Sequence, residues 1–116
     1  MRVLIIDDVH AAGDLAAEIL RDAGHEVELC RSANDGLAVL RAGGIDVVFS
    51  DIVMPGMSGL ELALEINARW PQVGIVLTTG YAAGLSVPQT AIFDLLPKPY
   101  SYDQLVAKVQ AAAKKS

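Results

Sequence analysis

Val3-Leu4-Ile5-Ile6-Asp7-Asp8 is the stretch that decides the fold: four apolar residues in a row, stopped by two adjacent carboxylates. A run this short cannot bury a helix of its own, and being apolar on both sides it predicts a strand covered on both faces. Working outward, residues 27–30, 47–49, 75–77 and 92–96 repeat the signal, which gives five strands. Helical spacing separates them: Leu15 with Ile19, Leu37 with Leu40, Leu60 with Ala63 and Ile66, and Leu105 with Val109 each place apolar side chains on one helix face. Strand and helix in alternation predict a parallel sheet with right-handed crossovers and helices on both faces, an α/β sandwich of three layers.

The second strand differs from the rest. Glu26, Val27, Glu28 and Leu29 alternate polar with apolar, the pattern of a strand at the edge of a sheet. Glycine at Gly24 and at Gly43-Gly44 is placed to end the first and second helices, and Trp70-Pro71 to end the third. Between Thr79 and Lys98, Gly84 and Pro88 interrupt helical spacing, so any helix there is expected to be short or distorted.

Composition narrows the function. The 116 residues fit one domain, 1–116, and 53% hydrophobic against 20% charged residues excludes a disordered chain. No apolar run approaches the ~20 residues that span a bilayer, and Asp7-Asp8 cut off any signal-peptide core, so a cytoplasmic location away from membranes is expected. Fourteen acidic against nine basic residues give a net charge of -5, which disfavours a nucleic-acid partner. Cys30, the one cysteine, excludes an internal disulfide and a thiolate metal cage, and reads as a small buried strand residue.

In an open parallel sheet, ligands bind beyond the carboxyl ends of the strands. Those ends carry Asp7-Asp8, Asp51, Thr78-Thr79 and Lys98-Pro99, while the edge strand adds no carboxylate. Singly, each has a plain explanation: Asp7 or Asp8 as a helix cap, Asp51 as a loop aspartate before Met54-Pro55-Gly56, Lys98 as a solvated strand-end lysine. Their joint occurrence at four strand ends points to one site. Two like charges about 4 Å apart cost roughly 4 kcal/mol at an effective dielectric near 20, so gathered carboxylates call for cations. Oxygen donors without thiolates or clustered histidines suit Mg²⁺, and Lys98 supplies a fixed charge. A carboxylate so placed can take a phosphoryl group as an acyl phosphate, a transfer that needs mainly positioning and charge neutralisation.

Four segments together resemble the response regulator receiver family of two-component signalling, over the chain from Val3 to the last helix. They are the opening stretch, residues 46–59 with Asp51-Ile52-Val53-Met54-Pro55-Gly56, Leu77-Thr78-Thr79-Gly80, and Leu96-Pro97-Lys98-Pro99-Tyr100. The resemblance implies a flavodoxin-like, doubly wound sheet of strand order 2-1-3-4-5. It implies Asp51 as phosphoacceptor, Asp8, Asp51 and the Val53 carbonyl as direct Mg²⁺ ligands, and Asp7 acting through water. Lys98 would contact a phosphoryl oxygen, Thr79 would be the switch hydroxyl with small Gly80 behind it, and the Lys98-Pro99 bond would be cis.

The partner it implies is a histidine kinase or a histidine phosphotransfer protein, and the chain would be a switch that promotes its own phosphorylation rather than an enzyme with a separate substrate. The wording of the segments is most similar to receivers of hybrid sensor kinases. Leu95 stands where many members carry an aromatic ring, and the Thr79 to Lys98 interval is shorter than usual, so a ring-flip output is not expected. Bulky Val53 and Tyr81 flank the path of an attacking water, which predicts a slowly hydrolysing acyl phosphate.

Three other readings compete. A haloacid-dehalogenase-type phosphohydrolase would need an Asp-x-Asp pair after the first strand and a cap domain. A nucleotide or flavin binder would need a glycine- or hydroxyl-rich loop where Val9-His10-Ala11-Ala12 stands. A receiver-like module that signals by binding alone would show the fold without the phosphorylation.

Overall fold

The computed structural model describes residues 1–80 and 92–113. Five parallel strands, β1 (Arg2–Ile6), β2 (Glu26–Cys30), β3 (Val47–Asp51), β4 (Gly74–Thr79) and β5 (Asp94–Pro97), form one sheet in the order β2-β1-β3-β4-β5. Helices α1 (His10–Asp22), α2 (Ala33–Ala42), α3 (Gly59–Arg69) and α4 (Tyr102–Ala112) cover it. The expected fold class and the edge position of β2 are as observed. The short helix expected between Thr79 and Lys98 falls on residues 81–91, outside the described residues, as does Tyr81.

Side-chain alternation along the strands sorts the core into two halves. Leu4, Ile6, Val48, Ile75 and Leu77 face α2 and α3, where Leu37, Leu40, Leu62 and Ile66 close over them. Val3, Ile5, Val47, Phe49 and Val76 face α1 and α4, against Ala16, Ala17, Leu20, Leu105 and Val109. The first helix departs from expectation. Its buried face is Gly13, Ala16, Ala17 and Leu20, whereas Leu15 is 55% exposed and Ile19 only partly buried. Small residues at i, i+3 and i+4 (Gly13, Ala16, Ala17), followed by Leu20 at i+7, let α1 lie close to the sheet, a stripe that a search for large apolar side chains passes over.

Strand limits also differ. β3 runs on through Ser50 and Asp51 and β4 through Thr78 and Thr79, all four in the ladder and buried despite being polar, while β5 begins two residues after Ile92. In register, Ile6 pairs with Ser50, Ser50 with Leu77 and Leu77 with Leu95, so the strand ends form one level rim.

Helix starts are largely set by serine. Asp35 N–H donates to Ser32 Oγ at 3.2 Å, Glu61 N–H to Ser58 Oγ at 3.2 Å and Gln104 N–H to Ser101 Oγ at 3.1 Å; Ser101 N–H returns a bond to Gln104 Oε1. Only α1, among the described helices, starts without a side-chain cap, at Val9.

Gly74 opens β4 where the end of α4 crosses it, and a Cβ there would run into the Ala112 carbonyl, which belongs to backbone and cannot swing aside. Gly74→Ala is therefore expected to cost roughly 1 to 2 kcal/mol. The urea midpoint should fall with an unchanged slope; an unaltered midpoint would mean that α4 can shift freely.

Candidate functional site

The rim brings the sequence-predicted residues together from four strand ends. Asp7 and Asp8 follow β1, Asp51 ends β3, Thr79 ends β4 and Lys98 follows β5. The strand ladder continues into the loops that carry them: Asp7 N–H donates to the Cys30 carbonyl at 3.1 Å, Ile52 N–H to Thr78 at 2.9 Å and Lys98 N–H to Thr79 at 3.0 Å. A cleft of about 480 Å³ lies between them, lined by Asp8, Val9, Asp51, Val53, Thr79, Gly80 and Lys98.

Lys98 Nζ lies 2.8 Å from Asp51 Oδ2 and 3.9 Å from Asp7 Oδ2, so one ammonium serves both carboxylates. Asp51 is 6% exposed and Asp7 4%; at that burial an unpaired charge is costly, and the lysine offsets it. The second oxygen of each is held by backbone two residues on, Val53 N–H donating to Asp51 Oδ1 at 3.0 Å and Val9 N–H to Asp7 Oδ1 at 2.9 Å. Asp7 is thus not the helix cap that its position allowed, since Val9 itself occupies the cap site. Burial pushes the Asp7 carboxyl above its ordinary range, against the opposing Val9 N–H bond and the Lys98 charge, and Asp51 and Asp8 add to the rise. Lys98 is equally not a free surface lysine. The cis Lys98-Pro99 bond is present.

The two threonines separate. Thr79 is buried and lines the cleft, whereas the Thr78 hydroxyl is buried in β4 with no hydrogen-bond partner. His10 is an exposed helix-start residue and Cys30 a half-buried strand residue whose thiol is pushed up by burial.

The donor set can be tested against a hard cation. Among the described residues no three acidic or imidazole side chains converge into a ready-made cage. Mg²⁺ does not require one, because it commonly binds through one or two carboxylates and keeps water and phosphate as its other ligands. Asp8 Oδ1 is buried without a hydrogen-bond partner beside Asp51, an oxygen that a cation would satisfy. The residues fit the ion.

Two contacts here have no counterpart in the sequence reading. Tyr100 packs its ring edge-on against Phe49, centroids 5.8 Å apart, under the site; burial and then the Asp7 and Asp51 charges push its hydroxyl up to about 12, so it stays neutral. An aromatic directly after Lys98-Pro99 was the available signal. Arg31, just beyond the edge strand, bonds to the start of α1; its partner Asp14 is 17 residues away, and no spacing announces the pair. Beside the cleft, Ala12, Leu15, Gly80, Lys98, Pro99 and Tyr100 line a mainly apolar recess.

A family model described as "Response regulator receiver domain" matches residues 3–110. The chain is 35% identical over 113 residues to the DNA-binding transcriptional regulator NtrC of Salmonella typhimurium, covering 95% of this chain and 24% of that protein. It is 31% identical over 118 residues to the sensor kinase CckA of Brucella abortus, covering 97% of this chain and 12% of that one. The chain therefore spans a quarter or less of the length of these curated relatives. Among solved structures it is similar to the response regulator TrrA of Thermotoga maritima, in complex with Mg²⁺-BeF, with a TM-score of 0.87 and 31% identity over 96% of this chain and 97% of that one. The receiver domain of NtrX from Brucella abortus gives 0.85 and 30%, over 98% and 99%. No described helix is long and apolar enough to cross a membrane.

Proposed function

We propose, proceeding from the fact that this chain belongs to the response regulator receiver family, that Asp51 is the residue through which it acts as phosphoacceptor in two-component signalling. The observation that carries the assignment is the 2.8 Å contact between Lys98 Nζ and Asp51 Oδ2 at the floor of the cleft. It puts one buried carboxylate, and among the described residues no other buried one so closely, against a fixed cation.

In the transfer, a carboxylate oxygen of Asp51 attacks phosphorus of a phosphohistidine. The new O–P bond forms as the N–P bond breaks, and the electron pair leaves with the imidazole. Val53 N–H keeps the Asp51 carboxylate oriented, and Lys98 neutralises charge on the incoming group. Asp8, Asp51 and the Val53 carbonyl would hold Mg²⁺, with Asp7 reaching it through water. When bound, the ion offsets charge on the phosphoryl oxygens. The TrrA structure, obtained with Mg²⁺-BeF, supports this choice of ion.

The donor is a histidine kinase or histidine phosphotransfer protein, and the apolar recess sharing Gly80 and Lys98 with the cleft offers it a docking surface that adjoins the site. A net charge of -5 supports a protein donor over any nucleic-acid contact by these residues. Thr79, at the cleft wall, reports the modified state by moving toward the phosphoryl group. The relatives include both a transcriptional regulator and a sensor kinase, and the segment wording favours the second setting.

The test is intact mass after incubation with a small-molecule phosphodonor, with and without Mg²⁺, followed by borohydride reduction and peptide mapping. One metal-dependent adduct on Asp51 is expected; an unmodified chain, or an adduct elsewhere, overturns the assignment. Once loaded, the site should lose its phosphoryl group slowly. Val53 is 52% exposed at the cleft mouth and offers nothing to align a water. Val53→Asn should speed hydrolysis on the order of tenfold, about 1.4 kcal/mol of barrier; an unchanged decay rate would remove Val53 from the account.

A further inference from the structure

We infer that Arg31 is a positioning residue for the acidic loop, a clamp that fixes the start of α1 and thereby sets how strongly the site holds Mg²⁺. The inference rests on the reading of the site above and extends it to a residue outside the cleft.

The loop from Asp7 to Val9 is only three residues long and carries both carboxylates that follow β1. One end is fixed, because Asp7 N–H donates to the Cys30 carbonyl. The other end is the start of α1, which has neither a side-chain cap nor an acidic residue in its first turn, unlike the serine-capped α2, α3 and α4. A helix begun that way can fray or slide by part of a turn.

Arg31 supplies what the local sequence lacks. Its Nη2 donates to Asp14 Oδ1 at 2.8 Å and its Nη1 to the His10 carbonyl at 3.3 Å, so one guanidinium spans the first turn from outside. Arg31 directly follows Cys30, so the same strand end grips both sides of the loop. Gly13 makes room for it: a Cβ there would come within 3.0 Å of Arg31 Nη1, 3.1 Å of Leu29 Cδ1 and 3.5 Å of Asp7 Cβ. The side chains of Arg31 and Asp14 are 33% and 63% exposed, too open for the pair to matter much as a stabilising ion pair. Its effect lies in geometry. Between the two anchors hangs Asp8, with its buried, unpartnered oxygen.

The test follows Asp51 to Val53 amide shifts against added MgCl₂ for the native chain, Arg31→Ala, Arg31→Lys and, as a control at the other end of the sheet, Arg2→Ala. Arg31→Ala should weaken Mg²⁺ binding about tenfold, the low end of what losing an outer-shell partner costs. Arg31→Lys should recover part of it, and Arg2→Ala should leave it unchanged. Phosphorylation at saturating Mg²⁺ should stay within about twofold of native, because such a clamp sets metal affinity and leaves the chemistry of Asp51 alone. If Arg31→Ala folds poorly, Asp14→Asn loosens the same clamp and should weaken Mg²⁺ binding in the same direction. Equal Mg²⁺ affinity in the clamp variants, or the same loss in Arg2→Ala, overturns the inference. A native chain whose shifts ignore Mg²⁺ would instead bring down the metal reading on which it rests.

Discussion

In Asp51→Asn the phosphoryl adduct is expected to disappear altogether while the protein stays folded. The amide has no anionic oxygen to attack phosphorus, and neither neighbouring carboxylate can replace it. Asp7 lies at 3.9 Å from Lys98 with its other oxygen engaged by Val9, and Asp8 hangs on the loop before α1. Folding should survive because the asparagine carbonyl can still accept from Val53 N–H, Lys98 keeps Asp7, and one of three crowded negative charges is gone. A change in stability of no more than about 1 kcal/mol is expected. Intact mass and a urea transition on the same sample check both halves. Persistence of a Mg²⁺-dependent adduct would move the phosphoacceptor elsewhere, and loss of the adduct together with unfolding would leave the role of Asp51 unsupported.

Lys98→Met should be the most damaging change at the site. Removing one partner of a buried pair leaves the other uncompensated, at a cost of about 3 kcal/mol, taken at the low end because Lys98 is 27% exposed. Phosphorylation should slow about a hundredfold with the loss of the cation. The pH dependence gives the signature. Asp7 already titrates above the ordinary carboxylate range because of burial, and without Lys98 one of the two influences that lower it is gone. A carboxyl raised in this way penalises the folded state when ionised. The penalty is complete above the folded pKa and fades as pH falls through it toward the ordinary value near about 3.9. The deficit of Lys98→Met relative to the native chain should therefore be largest at neutral pH and shrink on acidification. Urea midpoints at neutral and mildly acidic pH measure it, and a deficit independent of pH would contradict the pairing.

The sheet order and most of the site were readable because both depend on short-range signals. Four apolar runs ending in Asp, Thr or Lys fix where strands stop, and parallel topology then gathers the ends. What escaped had longer-range or subtler causes. Leu15 and Ile19 drew attention as apolar residues, yet α1 packs through Gly13, Ala16 and Ala17, with Leu20 one turn on, because close approach to the sheet at the start of the helix favours small side chains. The apolar run 47–49 gave no sign that β3 continues through Ser50, which its neighbours on both sides make an interior residue. Arg31 looked like the unremarkable end of an edge strand. Its part depends on Asp14 and His10, contacts that exist once β2 has been laid beside β1 and α1 folded back over both.

Asp7, Asp51 and Lys98 meet only because β1 pairs with β3, β3 with β4 and β4 with β5. Each pairing is parallel, so each must close a crossover before it gains anything, and such contacts form late and slowly. No hairpin or fragment of this chain can assemble a partial site. The last strand, which ends one residue before Lys98, must be in place before the cleft has its cation. The cleft is therefore complete only when the whole sheet is: without β5 seated beside β4, Asp7 and Asp51 have no Lys98 to face.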